Sequence, residues 1–473
     1  MANLYSELAN HLALRIDKGL FQPGDRLPGV RVTSSNEGVS PSTVVAAYRH
    51  LEMEGYIEAR PRSGFYVRTR LQSNLAEPKT SKPGARPKPV TGQELVLQLI
   101  QNISTPNLVQ LGANIPDPEF LPTRALSRTL VAIANDARHV ISSYEVPPGL
   151  PELRLQIARH MAGNGCITNP DDIVITSGCQ EALYLSLKSV TKPGDIVAIE
   201  SPGYYGLLQA IDSLGLKALE IPTHPRHGIS IEALELALEQ WPIKACVVIP
   251  NFSNPLGSLM SADRKTALVS LIDQHQQVML IEDDIYGDLC FEGPRPSTLK
   301  SLDTKGNIMH CASFSKSLAS GLRIGWVISE PHHQQLAYEK FVINCAASTI
   351  NQYTVARILG SGIYDRHLRS MRIGLAQNTK RLIDRVSQHF PGDTKITRPT
   401  GGMTLWVELS KGIDTTQLSH EALAEGISIA PGQIFSSTGS KYKNCLRLNC
   451  GLAWNNKAEQ AIETLGKLIR KKL

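Results

Sequence analysis

Residues 313–325 read Ser313-Phe314-Ser315-Lys316-Ser317-Leu318-Ala319-Ser320-Gly321-Leu322-Arg323-Ile324-Gly325. A lysine flanked by serines, with an arginine seven residues on, joins a nucleophilic amine to groups that hold an anion. That combination suits an imine beside a phosphate. Upstream lies the apolar run Ile308-Met309-His310-Cys311. Runs of the same kind recur at Asp172–Thr176, Ile196–Ile199, Ala245–Ile249 and Val278–Ile281, with helical stretches between them. Continuous apolar strands alternating with helices predict a mostly parallel sheet buried on both faces. Ligands of such sheets bind where loops leave the carboxyl ends of the strands. The polar motifs stand at those places.

After the first run comes Ser177-Gly178-Cys179-Gln180-Glu181, a helix start whose backbone amides suit a phosphate. Asn254-Pro255-Leu256-Gly257 follows the third run and Glu282-Asp283-Asp284-Ile285-Tyr286 the fourth. Leu446-Arg447-Leu448-Asn449 comes late in the chain. Each motif singly has a plain reading, since most lysines are solvated and an aspartate after a strand often caps a helix. Jointly, in identity, order and spacing, they resemble the fold-type-I, class I/II aminotransferase domain that binds pyridoxal 5′-phosphate (PLP), across residues 94–473.

The resemblance implies an α/β fold with a smaller C-terminal α+β subdomain, and it implies roles. Lys316 is the catalytic residue that forms the Schiff base with PLP. Asp283 pairs with the pyridine nitrogen and keeps the ring an electron sink. Asn254 and Tyr286 hydrogen-bond the phenolic oxygen, and Tyr204, in Ser201-Pro202-Gly203-Tyr204, stacks on the ring. Gly178, Cys179, Gln180, Ser313, Ser315 and Arg323 hold the phosphate. Tyr144, in Tyr144-Glu145-Val146-Pro147-Pro148-Gly149, reaches the phosphate of a neighbouring subunit, which implies a dimer. Arg447 clamps an incoming α-carboxylate. Two positions depart from the family pattern. Asn114, in Asn114-Ile115-Pro116-Asp117, stands where the family usually has glycine, a change expected to crowd or re-polarise the carboxylate pocket that binds substrate or effector. Cys179 stands where a small hydroxyl residue or alanine is commoner; its backbone amide remains available.

The first 69 residues are organised differently. Leu4, Leu8, Leu12 and Ile16 form one apolar helical stripe, ended by Gly19. Pro23-Gly24-Asp25 makes a turn, and a second short helix follows Leu27-Pro28. A third starts with Ser40 as N-cap and Pro41 at the first helical position, and buries Val44, Tyr48 and Leu51. Ile57–Arg60 and Phe65–Val67, around Pro61-Arg62-Ser63-Gly64, predict a hairpin. This order and its motifs (Pro23-Gly24-Asp25-x-Leu27-Pro28-x-x-Arg31, Val39-Ser40-x-Ser42-Thr43-Val44, Tyr48-x-x-Leu51, Gly64-Phe65-Tyr66-Val67) resemble the winged helix-turn-helix of the GntR family. Thr33-Ser34 departs from it, replacing an apolar pair of the second helix.

The resemblance implies that the third helix enters the major groove by its N-terminal end. Ser40, Ser42, Thr43 and Arg49 then face DNA, Arg31 lies near the backbone, and Arg62 at the wing tip reaches the minor groove. Lys18 and seven arginines face seven acids over residues 1–69, so motif order carries the DNA reading and charge does not.

Between these parts, residues 70–93 contain Pro78, Pro83, Pro87 and Pro89. Proline removes donors and restricts its predecessor, so an exposed spacer without helix or strand is expected, roughly 25 Å across as a flexible coil. That reach lets the N-terminal unit sit on a different subunit. Five basic residues against Glu77 also make an added DNA phosphate contact conceivable.

The 473 residues, 42% hydrophobic and 19% charged, exclude a disordered chain and a collagen-like or coiled-coil rod. A net charge of +6 permits nucleic-acid contact without arguing for it. Eight cysteines, none in a C-x-x-C pair, read as reduced thiols in a cytoplasmic protein, with no disulfide and no metal site. No signal-peptide pattern or membrane span is expected.

A GntR-type winged helix, a Pro-rich tether and an aminotransferase-like domain in this order resemble the MocR subfamily of transcriptional regulators. The resemblance implies a domain-swapped homodimer on a double-stranded DNA operator, holding PLP as an aldimine and sensing an amino acid or amine effector. A working aminotransferase and a sensor of PLP itself remain alternatives; the retained lysine leaves transaminase activity open.

Overall fold

The structure, a computed structural model, describes residues 4–473 apart from 23, 54–55, 61–62, 68–74, 93, 104 and 137–138. Arg62, Pro23 and part of the proline-rich stretch therefore lie outside the described residues. The chain divides into two compact units, Met1–Asn74 with Ala376–Gln388, and Leu75–Leu375 with His389–Leu473.

The first unit contains helices α1 (Leu4–Asp17), α2 (Val30–Glu37) and α3 (Pro41–Met53) and the antiparallel strands β1 (Ile57–Arg60) and β2 (Gly64–Val67). Leu8, Leu12, Ile16, Leu27, Val44, Tyr48, Leu51 and Ile57 form its core. The expected stripe of α1 needs one correction. Leu4 is 67% exposed, because it is the first residue of the helix and lies beyond the core that its three partners reach. Thr33 is buried, and its hydroxyl lies 2.6 Å from that of Tyr48, which also donates to the Pro28 carbonyl at 2.6 Å. Ser34 donates to the Val39 carbonyl at 2.6 Å. The polar pair that departs from the GntR pattern is therefore satisfied by hydrogen bonds, as buried polar groups require.

In the second unit the main sheet runs Lys88–Pro89, Lys217–His224, Ile196–Ser201, Ile243–Val248, Met279–Asp283, Ile308–Ser313, Gly325–Ile328, Ile173–Thr176. Five neighbours from Lys217–His224 to Ile308–Ser313 pair in parallel. Gly325–Ile328 pairs antiparallel to both its neighbours. Ile173–Thr176, Ile196–Ser201 and Ile308–Ser313 are buried at every residue, the burial expected where helices cover both faces. A smaller antiparallel sheet runs Lys395–Ile396, Thr404–Glu408, Cys445–Asn449, Ala430–Pro431 and carries Arg447 on an inner strand, between Trp406 and Ala430.

The described part of the proline-rich stretch corrects the expectation of a spacer without strand. Lys88 and Pro89 pair with Ala218 and Lys217 at the sheet edge. Ser81 exchanges hydrogen bonds with Thr223, its amide to the Thr223 carbonyl at 3.1 Å and the Thr223 amide to its Oγ at 2.8 Å. Glu77 accepts two bonds from Arg226 at 2.6 and 2.7 Å, and Val90 is buried. An edge strand tolerates proline because an N–H on its outer side has no ladder partner. All eight cysteines are free, and only Cys345 is exposed. Among the described residues no helix is long and apolar enough to cross a membrane.

Candidate functional site

Lys316 follows the Ile308–Ser313 strand, where the chain turns before running back as Gly325–Ile328. Its side chain lines a cavity with Asp283, Tyr286, Asn254, Tyr204, Cys179, Gln180 and Asn114. All eight were singled out in the sequence; seven converge because five different strand ends open on the same side of the main sheet, and Asn114 joins them from the segment after Val109–Gln110.

Burial, reinforced by the charges of Arg447 and Arg323, pushes the Lys316 amine down to about 8. Its Nζ donates to the Asn114 carbonyl. Burial pushes the Asp283 carboxyl up to about 6, against the pull of two donors to Oδ1. These are the Cys179 thiol and the Ile285 amide, each at 3.2 Å. Burial also raises the phenols of Tyr286 and Tyr204. Tyr286 Oη accepts the Asn114 carboxamide N–H at 2.6 Å, and Tyr204 donates to Gln180 Oε1 at 3.2 Å.

A second cluster lies at the start of the Cys179–Val190 helix. Gly178 has φ +99°, and a Cβ there would run into the Arg323 guanidinium. Arg323 donates to the Ser177 carbonyl at 2.7 Å and to Ser315 Oγ at 3.2 Å, and Ser313 donates to Ser315 at 2.7 Å. Gly325 passes so close that an added Cβ would lie 2.6 Å from the Gly178 carbonyl carbon. The two glycines let the Arg323 turn and the helix start approach, which gathers Gly178, Ser313, Ser315 and Arg323 as the sequence expects.

Arg447 stands behind Asn254. It is fully buried, donates from Nη1 to Asn254 Oδ1 at 2.9 Å and from Nη2 to the Gly112 carbonyl, and lies 5.2 Å from the Phe435 ring centroid. No acid among the described residues pairs with it, and its Nε has no hydrogen-bond partner. Tyr144 does not join the cavity of its own chain; it is 77% exposed.

In the first unit, Ser40 Oγ accepts the Thr43 amide at 3.2 Å and lies 2.8 Å from the hydroxyls of both Ser42 and Thr43. Arg31, Ser40, Ser42 and Arg49 are exposed and Thr43 half-buried. Three hydroxyls and the first amides of α3 thus form one polar end, while Val44, Ala47, Tyr48 and Leu51 of the same helix are buried.

Sequence reasoning missed several contributors. Tyr205 lines the cavity, and Arg447 lies 5.9 Å from its ring centroid. Ser317, next to Lys316, is held by Tyr364 and His367: the Tyr364 hydroxyl lies 2.6 Å from Ser317 Oγ, and His367 Nε2 lies 2.8 Å from the Ser317 carbonyl. Tyr364 in turn donates to Asp288 at 2.6 Å, and Arg295 donates to Asp288 at 2.7 Å. Burial raises the Asp288 carboxyl, but His160 and Arg295 outweigh it and hold the group well below the usual range. Arg26 and Arg60 are exposed on the wing, beside Gly64 and Tyr66 respectively. No local spacing marks Tyr205, Tyr364, His367, Asp288, Arg295 or Arg26; Ser317 stands in the serine-flanked lysine motif and Arg60 in a predicted strand.

Comparison with known proteins agrees with this geometry. Residues 106–465 match the family "Aminotransferase class I and II", and residues 4–67 match "Bacterial regulatory proteins, gntR family". The chain is 41% identical to the uncharacterized HTH-type transcriptional regulator YjiR of Escherichia coli (strain K12), over 98% of each chain. It is 40% identical to the uncharacterized HTH-type transcriptional regulator YdcR of the same organism, over 99% of each. The crystal structure of Pyrococcus horikoshii kynurenine aminotransferase superposes with a TM-score of 0.75 at 28% identity, covering 81% of this chain and 96% of that one. The fold is therefore that of a fold-type-I aminotransferase preceded by a winged helix-turn-helix. This chain belongs to the class I and II aminotransferase family, in the MocR-like branch of transcriptional regulators that carry a GntR-family DNA-binding domain at the N-terminus.

Proposed function

We propose that this chain is a PLP-dependent transcriptional regulator that senses an amino acid or a related amine in the Lys316 cavity. One observation carries the reading. A buried amine with a lowered pKa, Lys316, shares its surroundings with a buried guanidinium, Arg447, that has no acidic partner among the described residues. A buried charge without a counter-charge is costly and calls for an anionic ligand.

The residues present fit PLP. Gly178 and the hydroxyls of Ser313 and Ser315 around Arg323 suit its phosphate, together with the amides of Cys179 and Gln180. Asp283 has one carboxylate oxygen occupied by two donors, which leaves the other for the ring nitrogen. Asn254 and Tyr286 suit the phenolic oxygen, and Tyr204 the ring face. When bound, the cofactor supplies an aldehyde carbon that condenses with primary amines and a ring that withdraws electrons.

The chain's own groups do the rest. Near pH 7.5 a lysine with a pKa of about 8 is neutral in about a quarter of molecules, against about one in a thousand for an ordinary lysine. Lys316 is therefore a competent nucleophile, and a primary-amine effector can compete with it. Arg447 orients the effector's carboxylate beside it. Tyr144, exposed on its own chain, would complete the phosphate site of a partner in a domain-swapped homodimer. The α3 end bearing Ser40, Ser42 and Thr43, with Arg31 and Arg49, would meet the operator. The effector changes DNA binding only by favouring one conformation of the regulator over another.

The visible absorption of the loaded protein, titrated with amino acids and amines with and without a keto acid, tests this. A spectral change that stops without turnover supports a sensor. Steady keto-acid production and recycling would make the chain an enzyme first. Indifference to the whole panel, with DNA affinity following PLP, would make PLP the signal.

A further inference from the structure

A second pocket, of about 500 Å³, is walled by the helix Pro151–Gly163 and the start of the helix Ile363–His389. Its lining shares no residue with the Lys316 cavity. Leu359 and Leu368 are its only aliphatic side chains, so an apolar ligand has little to pack against. Three arginines line it: Arg159, Arg369 and Arg372. Arg159 and Arg369 are exposed, and neither has an ion pair or side-chain hydrogen bond among the described residues. Arg372 is anchored through Nε, which donates to the Asp288 carbonyl at 2.6 Å; both its terminal nitrogens are left without a partner among the described residues.

Two acids share the lining with these cations. Asp288 is already balanced. Arg295 donates to its Oδ1 at 2.7 Å, and its Oδ2 accepts from Tyr364 at 2.6 Å and lies 3.1 Å from His160 Nε2. Asp365 is exposed and forms no ion pair among the described residues, although Arg369 stands one helical turn on. Three guanidiniums against one unengaged carboxylate leave an excess of positive charge around one concavity. Like charges gathered in this way repel, and an anion that bridges them removes the repulsion. A phosphate monoester brings close to two negative charges and three acceptor oxygens on a single group, and guanidiniums meet it with paired N–H donors. One carboxylate brings half that charge. A nucleic-acid backbone also presents phosphates, but as a row of single charges that suits an extended basic strip better than a pocket between two helices.

We infer that this pocket is a binding site for a small molecule carrying a phosphate group, separate from the phosphate cradle around Arg323. The inference stands apart from the reading of the Lys316 cavity, since no lining residue is common to both.

The test uses the full chain treated with PLP and borohydride and then dialysed, so that the Arg323 cradle is occupied. Titration calorimetry at fixed ionic strength compares glucose 6-phosphate, inorganic phosphate, glucose and succinate. At least one of the two phosphates is expected to saturate one site per chain with a Kd below about 1 mM. The tighter of the two names the source of the phosphate group, and glucose should not bind. Arg159→Ala with Arg369→Ala should weaken that binding at least about tenfold, with the thermal unfolding midpoint kept, because both side chains are exposed. The pair Arg159→Lys with Arg369→Lys, which keeps the charge and loses the paired donors, should lie between the two. Phosphate binding that the double alanine variant leaves intact overturns the inference, as does the absence of saturation by either phosphate up to about 10 mM. Succinate binding more tightly than both overturns the phosphate assignment. If no small anion binds and the double alanine variant loses only salt-dependent affinity for duplex DNA, the arginines form a DNA-backbone surface, and the inference falls as well.

Discussion

Lys316 and Arg447 pose the sharpest test, because the environment of each depends on the other. Lys316→Ala is expected to abolish the covalent chromophore with PLP; a borohydride-stable adduct persisting in the variant would move the nucleophile elsewhere. The attachment rate should rise with pH around a midpoint near 8, since only the neutral amine attacks. The sign of a second effect follows. Arg447 lowers the Lys316 pKa by charge repulsion, so Arg447→Ala should shift that midpoint upward and slow attachment below pH 8. Stopped-flow rates between pH 6 and 10 would show it (a span of roughly two units on either side), and a midpoint that falls or stays fixed would contradict the assigned cause. Arg447→Ala should also weaken carboxylate-bearing effectors more than simple amines. Asp283 shows how a distant neighbour changes a motif residue's chemistry: burial alone disfavours its charged form, and the Cys179 thiol, at the first residue of the Cys179–Val190 helix, counteracts this.

Single secondary-structure elements bring these groups together through their ends. Five strands, Ile173–Thr176, Ile196–Ser201, Ile243–Val248, Met279–Asp283 and Ile308–Ser313, release their loops on one side, and Gly178 and Gly325 let the first and last of those loops touch. Gly325→Ala would put a methyl against the Gly178 backbone and is expected to impair PLP uptake. Equilibrium dialysis measures it, and normal uptake would show that the loops can part without harm. In α3 the roles of three neighbouring hydroxyls should separate. Ser40 caps the helix, so Ser40→Ala should cost about 0.5–2 kcal/mol of first-unit stability, read by thermal unfolding. Ser42→Ala with Thr43→Ala removes no described backbone cap, so operator affinity should fall with stability nearly kept. Unchanged operator binding in that pair would place the DNA-facing surface elsewhere. The edge strand Lys88–Pro89 is the counterpart on the large sheet, where a proline-rich stretch gains order from a neighbour's open edge and not from its own propensity.

At the level of the assembled regulator, Tyr144 carries the argument. It belongs to the motif set that resembles a PLP site, yet it is exposed on its own chain and absent from its own cavity. The proposed shared site in a twofold dimer would account for both facts. Mixing Lys316→Ala chains with Tyr144→Ala chains is then expected to restore normal PLP affinity in about a quarter of the sites, because half the dimers are mixed and each has one intact pocket. Spectral titration of the mixture against the two separate variants measures this. A mixture that behaves as the plain sum of its parts would confine each site to one chain.

The order of motifs around Lys316, Asp283 and Arg447 named the family and the residue set without coordinates. The cap at Ser40-Pro41, the buried face of α3 and the parallel strands were equally legible, since local hydrogen bonds and apolar periodicity set them. Other features depend on partners far away in the chain. Leu4 keeps the spacing of a core residue but lies past the end of the core it would join. Pro89 reads as a strand breaker until the edge at Lys217 offers it a place. Arg295 lies in a loop without any pattern, and it reaches the lysine through Asp288 and Tyr364, which pass the support on to Ser317. The acid-free burial of Arg447 and the unpartnered Oδ1 of Asn114 are of the same kind. Both are statements about what does not surround a group, and a sequence lists neighbours along the chain, whereas charge balance and hydrogen-bond satisfaction are fixed by neighbours in space.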